Sequence, residues 1–500
     1  MLPLRNHLYV LARRINPKLR SRRSHILVEY AGGKLKKPFN QILIGQKTPR
    51  ALTIAGVDSG GGAGIAADLK TFAALGVHGM SVVTSVTAQN TLTVTAIHDL
   101  PTGMVKAQIE AVLEDIGVDA AKTGMLHTPE IIEAVAEEIR KYGFPTVVDP
   151  VMVAKSGATL LEPDAVETLK NRLLPLAKVV TPNIPEAEVL SGLKIKSWRE
   201  AADAAMKISS YGPAAVVIKG GHLQGDVSVD LLYMDGKLRR FEADRVITDT
   251  THGTGCSFSA AITAELAKGK NILESVESAK RLITDAVMFG LKIGGGHGPV
   301  NPLASLYREA ERYWVIENIS EAVEMLEADP NFSMLIPESQ TNLAMTLTFA
   351  RGFEDVAAIP GRIVNLGGKA HASAPPRFGA SRHVAATLLT ARKHNPSVRA
   401  AMNIKFSEEI LKICERMGLS TSFYDRAREP PEVKLVEGRS TSWGAEEAIR
   451  VAGKVPDIIY HRGDWGKEPM ATILAGTAVE AAKIALDLAA EYVKATLKES

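Results

Sequence analysis

The most informative stretch of this chain is Asp249-Thr250-Thr251-His252-Gly253-Thr254-Gly255-Cys256-Ser257. Small residues crowd a turn here, and residues 257–266 then have the composition of a helix. Because the first N–H groups of a helix have no internal partner, they point outward at the positive end of the helix dipole. The stretch predicts an anion site for a phosphoryl group in transfer. Taken alone, it also fits a glycine-rich helix cap without a ligand.

Upstream of this stretch, short buried strands alternate with helices. Residues 51–57 form a strand that leads into a glycine-rich loop and a helix, and strand-like runs follow at 79–88, 146–149, 179–181 and 215–219. Such alternation predicts an α/β fold with a mainly parallel sheet and helices on both faces. Ligands bind at the carboxyl ends of such strands. The loop after Val57, Asp149, Asn183 and Lys219 all fall at that edge, which predicts a single composite site.

Length and composition predict a multidomain protein without a membrane span. The 500 residues are 46% apolar and 23% charged. No apolar run reaches the roughly 18 residues that a span requires. Glycine and proline cluster at 294–302 and predict a domain boundary near residue 304. The chain is therefore divided into a basic extension at 1–49, a first domain at 50–304 and a second α/β domain at 305–500.

The charge is distributed unevenly. Residues 1–49 contain 11 lysines and arginines and one acidic residue, whereas the remainder contains 48 basic and 55 acidic residues. The extension is expected to be disordered, with a transit peptide or a nucleic-acid-binding arm as alternatives. The body has no basic footprint of a nucleic-acid-binding protein. With only Cys256 and Cys414, neither a disulfide framework nor a cysteine zinc site is expected, and a cytoplasmic location fits.

A series of short motifs occurs in a fixed order between residues 51 and 302. The motifs are Ala55-Gly56-Val57-Asp58, Gly61-Gly62-Ala63-Gly64, Ala67-Asp68-Leu69-Lys70, Ala88-Gln89-Asn90-Thr91, Lys122-Thr123-Gly124-Met125, Asp149-Pro150-Val151-Met152, Thr181-Pro182-Asn183 with Glu186, Lys219-Gly220-Gly221-His222 and the opening stretch. Together they resemble hydroxymethylpyrimidine/phosphomethylpyrimidine kinases of the ThiD type, within the ribokinase-like superfamily. The resemblance implies that ATP phosphorylates a pyrimidine alcohol and then its monophosphate.

The resemblance also implies roles for residues around ATP. Gly253, Thr254 and Gly255 hold the transferring phosphoryl group, and Cys256 is the base. A helix N-terminus lowers the pKa of a thiol, although a small packing cysteine is the alternative. Lys219 meets the ATP phosphates as a point charge, and otherwise it is an ordinary strand-end lysine. Thr181 belongs to the same phosphate set.

Asn183 and Glu186 form the superfamily's N-x-x-E pair. The resemblance implies that the pair organises Mg²⁺ and its water, since magnesium accepts a few oxygen ligands and keeps several waters. A plain helix cap is the alternative. At the pyrimidine, the Gln89 amide pairs with a ring nitrogen and the exocyclic amine, and Gly56 belongs to the same pocket. Asp68 holds the hydroxyl region, and Met125 packs on the ring or in the core.

A second set of motifs lies in the last 200 residues. Asp355–Ile363 includes Pro360-Gly361-Arg362, and Phe378-Gly379-Ala380-Ser381-Arg382-His383 follows. Downstream come Gly438-Arg439-Ser440-Thr441-Ser442-Trp443-Gly444 and Arg462-Gly463-Asp464-Trp465-Gly466-Lys467. Helices are expected at 320–326, 381–393, 407–417 and 471–497, with a helix from Ala445 that follows the Ser-Thr-Ser run. The motifs resemble thiamine-phosphate synthases of the ThiN type over about 310–495.

This second resemblance implies condensation of the pyrimidine diphosphate with hydroxyethylthiazole phosphate, which expels pyrophosphate. Arg362 stabilises the leaving pyrophosphate bidentately, and His383 donates a hydrogen bond or proton to it. Either residue could instead be structural. The other phosphate-binding residues are expected to be Ser440, Thr441, Ser442, Gly463, Gly466 and Lys467.

The leading hypothesis is a bifunctional enzyme of thiamine biosynthesis that uses ATP and Mg²⁺. Its expected partners are small molecules, with a homodimer through the first domain and neither nucleic acid nor membrane. One alternative keeps the kinase and makes the second domain a ligand sensor. Another is a kinase for a different ring alcohol, such as pyridoxal, against which Gln89 and Cys256 argue.

Overall fold

The computed structural model describes residues 47–154, 156–221, 227–430, 433 and 439–499. The prediction of a disordered basic extension falls almost wholly on residues 1–46, outside the described residues. Residues 49–500 form one compact unit. The predicted boundary near residue 304 coincides with the start of a long helix at Ala304, and the division into two domains stays a prediction.

In the described part of the first domain, nine strands form one sheet in the order β3-β2-β1-β4-β5-β6-β7-β8-β9. The pairs from β2 through β1 and β4 to β7 are parallel, and β3, β8 and β9 add antiparallel edges. The strands are β1 Arg50–Asp58, β2 His78–Gln89, β3 Val94–Asp99, β4 Ala120–Thr123, β5 Thr146–Val148, β6 Val179–Val180, β7 Ala215–Lys219, β8 Val227–Met234 and β9 Lys237–Asp244.

Helices cover both faces of this sheet, which confirms the predicted fold class. Successive residues of a strand point to opposite faces, and Val216 packs in one buried cluster while Val217 packs in the other. The helices are α1 Gly64–Ala74, α2 Thr102–Asp115, α3 Pro129–Tyr142, α4 Ala165–Thr168, α5 Ile184–Ser191, α6 Trp198–Ser209, α7 Thr254–Ala267 and α8 Ile272–Met288. Short π and 3₁₀ turns at Leu169–Leu173 and Leu174–Leu176 extend α4.

The second domain contains a mainly antiparallel sheet with the order β14-β11-β10-β15-β18-β17-β16 among the described residues, and a separate β12–β13 hairpin. Only β16 and β17 pair in parallel there. The strands are β10 Leu343–Thr346, β11 Val356–Ala358, β12 Ile363–Leu366, β13 Lys369–Ala372, β14 Arg377–Phe378, β15 Ala400–Lys405, β16 Thr421–Phe423, β17 Ile458–His461 and β18 Met470–Ala475.

Five helices described in this half pack on both faces of the sheet. They are α9 Ala304–Ala328, α10 His383–His394, α11 Glu408–Arg416, α12 Arg439–Ala452 and α13 Ala478–Glu499, with 3₁₀ turns at Phe332–Leu335, Phe353–Asp355 and Arg426–Arg428. The expected helix at 471–497 is wrong over residues 471–477, since the helix begins at Ala478. Residues 470–475 form β18, which pairs with β15 and β17 in the middle of the sheet, and this pairing overrides the helix propensity of an alanine-rich run.

A buried ion-pair network joins the two halves. Nη2 of Arg308, on α9, donates to both carboxylate oxygens of Asp355 at 2.8 Å. Its Nη1 lies 3.9 Å from Oδ2 of Asp285, on α8. Arg351 contacts the same Asp285 carboxylate. Helix α8 is therefore fixed to the second domain through charges that are largely removed from water.

Candidate functional site

A cavity of about 870 Å³ opens at the carboxyl ends of the parallel strands of the first domain. Ten of the predicted site residues line it: Gly56, Gln89, Met125, Asn183, Glu186, Lys219, Gly253, Thr254, Gly255 and Cys256. They lie in or after six different strands, so the prediction of one composite site in this domain agrees with their positions. Their individual roles stay predictions.

The glycine turn of the opening stretch begins α7 at Thr254. Its N-cap, Gly253, has a φ of 79°, a backbone conformation that favours glycine. A Cβ at this position would lie 1.9 Å from the carbonyl oxygen of Gly62. The two glycine-rich loops therefore pack backbone against backbone, and Thr254, Gly255 and Cys256 of the first turn of α7 line the cavity.

A cluster of charges lies beside this helix start. Nζ of Lys219 donates to Oδ1 of Asp149 at 2.8 Å and lies 4.0 Å from Oε2 of Glu186. Burial alone would raise the pKa of Asp149, but the charges of Lys219 and Lys122 outweigh it and hold the pKa below its usual value. Burial raises the pKa of Glu186 to about 7, and the Asp149 charge adds to this against the pull of Lys219. At neutral pH the cluster therefore holds a fixed anion, a fixed cation and a carboxyl group near its midpoint.

Asn183 and Glu186 form a reciprocal capping box at the start of α5. Oδ1 of Asn183 accepts from the N–H of Glu186 at 2.9 Å, and Oε2 of Glu186 accepts from the N–H of Asn183 at 2.8 Å. The helix-cap alternative is therefore present in the structure. It does not exclude a role for the pair at Mg²⁺, since both residues also line the cavity.

The environment of the Cys256 thiol favours its ionisation less than the sequence suggested. The helix N-terminus was expected to lower its pKa, but burial raises the pKa of Cys256 to about 11. The charge of Lys122 opposes this increase, whereas Asp68 and Asp149 add to it. The direction of this shift is opposite to the expected one, because burial is the largest influence on the thiol.

The cavity lining also contains a histidine–carboxylate pair, directly before the Gly253 turn, to which the sequence analysis assigned no role. Nε2 of His252 lies 2.9 Å from Oδ2 of Asp58 and 3.5 Å from Nε2 of Gln89. The His252 hydrogen bond helps to hold the pKa of Asp58 below its usual value against burial. An ionised carboxylate only accepts, so His252 donates to Asp58 from Nε2. That nitrogen cannot then accept from Gln89, whose amide remains oriented by Thr87, 3.2 Å away.

Two predicted residues lie behind the cavity wall. Asp68 is fully buried, and its carboxylate bonds to Lys122 and Thr53. The prediction that Asp68 holds the substrate hydroxyl is therefore not supported by its position. Its side chain points from α1 into the sheet. Thr181 is also fully buried, and its hydroxyl lies 3.3 Å from Oδ1 of Asp149, so it supports a cavity residue.

In the second domain, Arg362 lies beyond the carboxyl end of β11. It is exposed, has a φ of 72°, and donates to the carbonyl oxygen of Ser339. The carboxylate of Glu468 accepts from the N–H groups of Glu338 and Ser339 at 2.7 and 2.9 Å. Because Glu468 directly follows the loop at 463–467, the structure brings Arg362 to the same sheet edge as Gly463, Gly466 and Lys467.

His383 lies at the opposite edge. Strand β14 is antiparallel to β11, with Phe378 paired to Ala357, so the chain leaves β14 where it enters β11. His383 then begins α10 next to Arg382, whose guanidinium stacks 5.3 Å from the ring of Phe353. One chain therefore places Arg362 and His383 beyond opposite ends of β11.

The helix expected from Ala445 begins earlier. Arg439 is already helical in α12, so Ser440, Thr441 and Ser442 lie within the described helix and do not precede it. Gly444 contacts the ring of Tyr424, which directly follows β16. Since β16 runs parallel to β17, this turn lies at the edge that holds Arg362. The expected helix start is wrong, whereas the role of this turn in binding phosphate stays a prediction.

Comparison with known proteins was made for each half. Residues 58–301 match the phosphomethylpyrimidine kinase family model. The hydroxymethylpyrimidine/phosphomethylpyrimidine kinase of Bacillus subtilis is 49% identical over 257 residues, which cover 51% of this chain and 95% of that protein. The chain belongs to the hydroxymethylpyrimidine/phosphomethylpyrimidine kinase family. Its kinase half is the first domain described above.

Residues 318–487 of this kinase-family protein match the family model of thiamine-phosphate synthase ThiN. The thiamine biosynthesis bifunctional protein ThiED of Geobacter sulfurreducens is 50% identical over 251 residues. The match covers 50% of this chain and 51% of that relative, so the chain spans about half of its length. These matches support a fusion of kinase and synthase and do not favour the ligand-sensing alternative.

Solved structures also resemble the kinase half. A phosphomethylpyrimidine kinase from Clostridium difficile is 47% identical, with a TM-score of 0.44 over 48% of this chain and 100% of that one. A pyridoxal kinase from Staphylococcus aureus is 40% identical, with a TM-score of 0.49 over 52% of this chain and 95% of that one.

Two features are absent from the described residues. Within them, no helix is both long and apolar enough to cross a bilayer. No group of three or more His, Cys, Asp or Glu side chains in that part of the chain is arranged to hold a metal ion.

Proposed function

We propose that this chain uses ATP to phosphorylate 4-amino-5-hydroxymethyl-2-methylpyrimidine and then its monophosphate, and that its second domain condenses the diphosphate with hydroxyethylthiazole phosphate to give thiamine phosphate. The observation that carries the kinase proposal is the convergence of Lys219, Asp149, Cys256 and the Gly253 turn in one cavity. Phosphoryl transfer depends mainly on positioning and charge neutralisation, and this cavity supplies both.

In the proposed kinase step, Lys219 and the first N–H groups of α7 neutralise the charge that spreads over the transferred phosphoryl oxygens. Asp149 fixes the position of the Lys219 ammonium. Cys256, as the thiolate, accepts the proton of the substrate hydroxymethyl group while the hydroxymethyl oxygen attacks the γ-phosphorus of ATP. The bond from that phosphorus to the β,γ-bridging oxygen breaks, and ADP leaves. The high pKa of Cys256 makes it a strong base once ionised, although only a small fraction is ionised at neutral pH.

The oxygen donors present fit a hydrated magnesium ion. Asn183 and Glu186 would hold it through water, because their capping bonds already occupy part of their capacity. When bound, the ion neutralises phosphate charge. A carboxyl group whose pKa is about 7 can ionise on meeting such a cation.

The pyrimidine end of the cavity is formed by Gln89, Met125 and Gly56. A Cβ at Gly56 would lie 3.1 Å from the Met125 sulfur, so glycine leaves the thioether room beside a flat ring. The Gln89 amide can pair with a ring nitrogen and the exocyclic amine at once. Because Asp58 keeps His252 as its donor, that pair fixes the wall beside Gln89.

The kinase proposal is tested with the full chain, ATP, Mg²⁺ and the pyrimidine alcohol. The wild type should produce the monophosphate and then the diphosphate. Lys219→Met and Cys256→Ser should each lower kcat by about 10²–10³ while the fold is retained. A chain that phosphorylates pyridoxal but not the pyrimidine would contradict the substrate assignment.

For the synthase step, we propose that the edge holding Arg362 and the loop at 463–467 binds the leaving pyrophosphate. Glycines with φ of 87° at Gly463 and 68° at Gly466 turn the loop sharply, and Lys467 adds a charge near Arg362. His383 lies beyond the other end of β11 in its own chain. A second copy of the chain would supply it, in keeping with the expected homo-oligomer.

The synthase proposal is tested by supplying the pyrimidine diphosphate and the thiazole phosphate without ATP. Arg362→Ala should lower thiamine phosphate formation at least about tenfold and leave the kinase rate unchanged. Normal synthesis by this variant would contradict the assignment of the edge. Both free thiols, Cys256 and Cys414, agree with action in a reducing compartment such as the cytoplasm.

A further inference from the structure

Lys122 is a buried lysine that the phosphoryl-transfer scheme does not use. It lies on β4, between β1 and β5 in the centre of the sheet, and its side chain is 0% exposed. An ammonium group in such a place is costly unless it is paired and hydrogen-bonded. A buried ammonium group therefore needs an ionic partner, and its position beside the cavity suggests a functional role.

The partner is Asp68. Nζ of Lys122 donates to both carboxylate oxygens, at 2.9 and 2.8 Å, and Oδ2 also accepts from the hydroxyl of Thr53 at 2.7 Å. Asp68 is held on α1 and is likewise 0% exposed. The two bonds and the surrounding sheet fix the ammonium group in one position.

This position is directly under the wall of the cavity. Gly124 lines the cavity, and a Cβ at Gly124 would lie 3.2 Å from Nζ of Lys122 and 2.9 Å from Cβ of Ala55. Glycine therefore leaves only backbone between the ammonium group and the cavity. Helix α7, which begins beside Cys256, packs on β4.

Four charged groups act on the Cys256 thiol from the elements around it. They are Lys122 on β4, Asp68 on α1, Asp149 after β5 and Lys219 at the end of β7. Burial is the largest influence and raises the pKa of the thiol, and the charge of Lys122 is the largest that opposes burial. Conversely, Asp68 and then Cys256 are the largest influences that raise the pKa of Lys122.

We propose that Lys122 is a positioning residue for the kinase reaction, whose charge, fixed by Asp68, stabilises the thiolate form of Cys256. The inference rests on the proposed role of Cys256 as the base. It adds the charged group that would allow a buried thiol to ionise. It also gives Asp68 a function different from the contact with substrate predicted from the sequence. Asp68 acts through Lys122, behind the cavity wall.

The test measures the reactivity of Cys256 with iodoacetamide in the full chain, by peptide mass spectrometry between about pH 7 and 9.5. Only the thiolate reacts, so below its pKa the rate follows the ionised fraction. Lys122→Met should lower the rate at Cys256 at least about tenfold, which corresponds to one pKa unit. Cys414, buried in the second domain, is the internal control and should not change.

A buried Asp68 left without its cation could prevent folding, so Lys122→Met/Asp68→Asn is made in parallel. It replaces the ion pair by neutral groups, as buried pairs often tolerate. It should also slow Cys256 alkylation, by less than the single variant, because the opposing charge of Asp68 is removed as well. Lys141→Met, which removes an exposed lysine, should change nothing.

Unchanged Cys256 reactivity in both Lys122 variants would overturn the proposal and make the ion pair purely structural. This outcome is distinct from failure of the proposed catalytic role. If Cys256→Ser retained full kinase activity, Cys256 would not be the base, while the alkylation rates would still report whether Lys122 acts on its thiol.

Discussion

Nζ of Lys219 lies 2.8 Å from Oδ1 of Asp149, and this ion pair borders the start of α7. A Cβ at Gly255 would lie 3.1 Å from the same Nζ. The glycine turn and the lysine therefore lie against each other at the cavity wall, and we propose that together they bind the phosphates.

Substitutions at two glycines of this turn should affect ATP binding and protein stability differently. Gly255→Ala should press on the Lys219 ammonium and raise KM for ATP about tenfold, with little change in thermal stability. Gly253→Ala should cost more than about 2 kcal/mol of unfolding free energy, because its φ is 79° and its Cβ would meet the Gly62 carbonyl at 1.9 Å. Kinase assays and thermal unfolding measure both effects. Equal destabilisation by the two changes would contradict this reading.

Glu186 should make stability depend on pH. Burial raises its pKa from 4.5 to about 7, so the folded protein holds this proton more tightly than the unfolded chain. The resulting contribution to stability is full below about pH 4.5 and is lost as the pH rises to about 7. Glu186→Gln should therefore raise the free energy of unfolding by about 3 kcal/mol at about pH 8.5 and leave it unchanged at about pH 4.

The same variant should lose kinase activity, because glutamine cannot supply the charge that the proposed magnesium site needs. Denaturant titrations at the two pH values and initial rates at saturating Mg²⁺ check the two statements separately. Stability that rises equally at both pH values would show that titration of Glu186 is not the cause.

The contacts of Arg308 between the two halves of the chain should contribute measurably to the stability of the protein. Arg308→Met removes the cation that Asp355 and Asp285 share, and it leaves Asp355 with Arg312 at 3.5 Å and Asp285 with Arg351. The loss of the buried hydrogen bonds should cost about 2 kcal/mol. Arg281→Met, which breaks an exposed pair with Glu277 on α8, is the control and should cost less than about 1 kcal/mol. A loss at Arg308 no larger than at Arg281 would mean that the network contributes little.

The positions of Arg362 and His383 lead to a mixing experiment. If the synthase site takes one residue from each of two copies, Arg362→Ala and His383→Ala should each be inactive alone. Refolded together, half of the dimers pair unlike chains, and each of these has one intact site of two. The mixture should therefore recover roughly a quarter of the wild-type synthase rate. If the mixture recovered no synthase activity, the proposal that two chains share one synthase site would be contradicted.

Much of the first domain could be predicted from its sequence, because loops after successive parallel strands must meet at one edge. Asp149, Asn183 and Lys219 follow or end such strands and do line one cavity. The inward direction of Asp68 could not be predicted, since its partner Lys122 lies 54 residues away. The pair of His252 and Asp58, 194 residues apart, was missed for the same reason, although both residues lie in glycine-rich motifs.

The second domain was less predictable. Residues 470–475 are apolar and alanine-containing, so only their neighbours in the sheet decide that they form a strand. Strand β14 runs antiparallel to β11 and so carries the chain away from Arg362 before His383. No local sequence motif predicts this strand direction.

The central claim is that one chain first makes the activated pyrimidine and then consumes it. The most direct measurement supplies the full chain with ATP, Mg²⁺, the pyrimidine alcohol and hydroxyethylthiazole phosphate, and follows thiamine phosphate by mass spectrometry. The wild type should form it, whereas Lys219→Met should form it only when the pyrimidine diphosphate replaces the alcohol. If the wild type accumulated the diphosphate and made no thiamine phosphate, the two-reaction account would be contradicted.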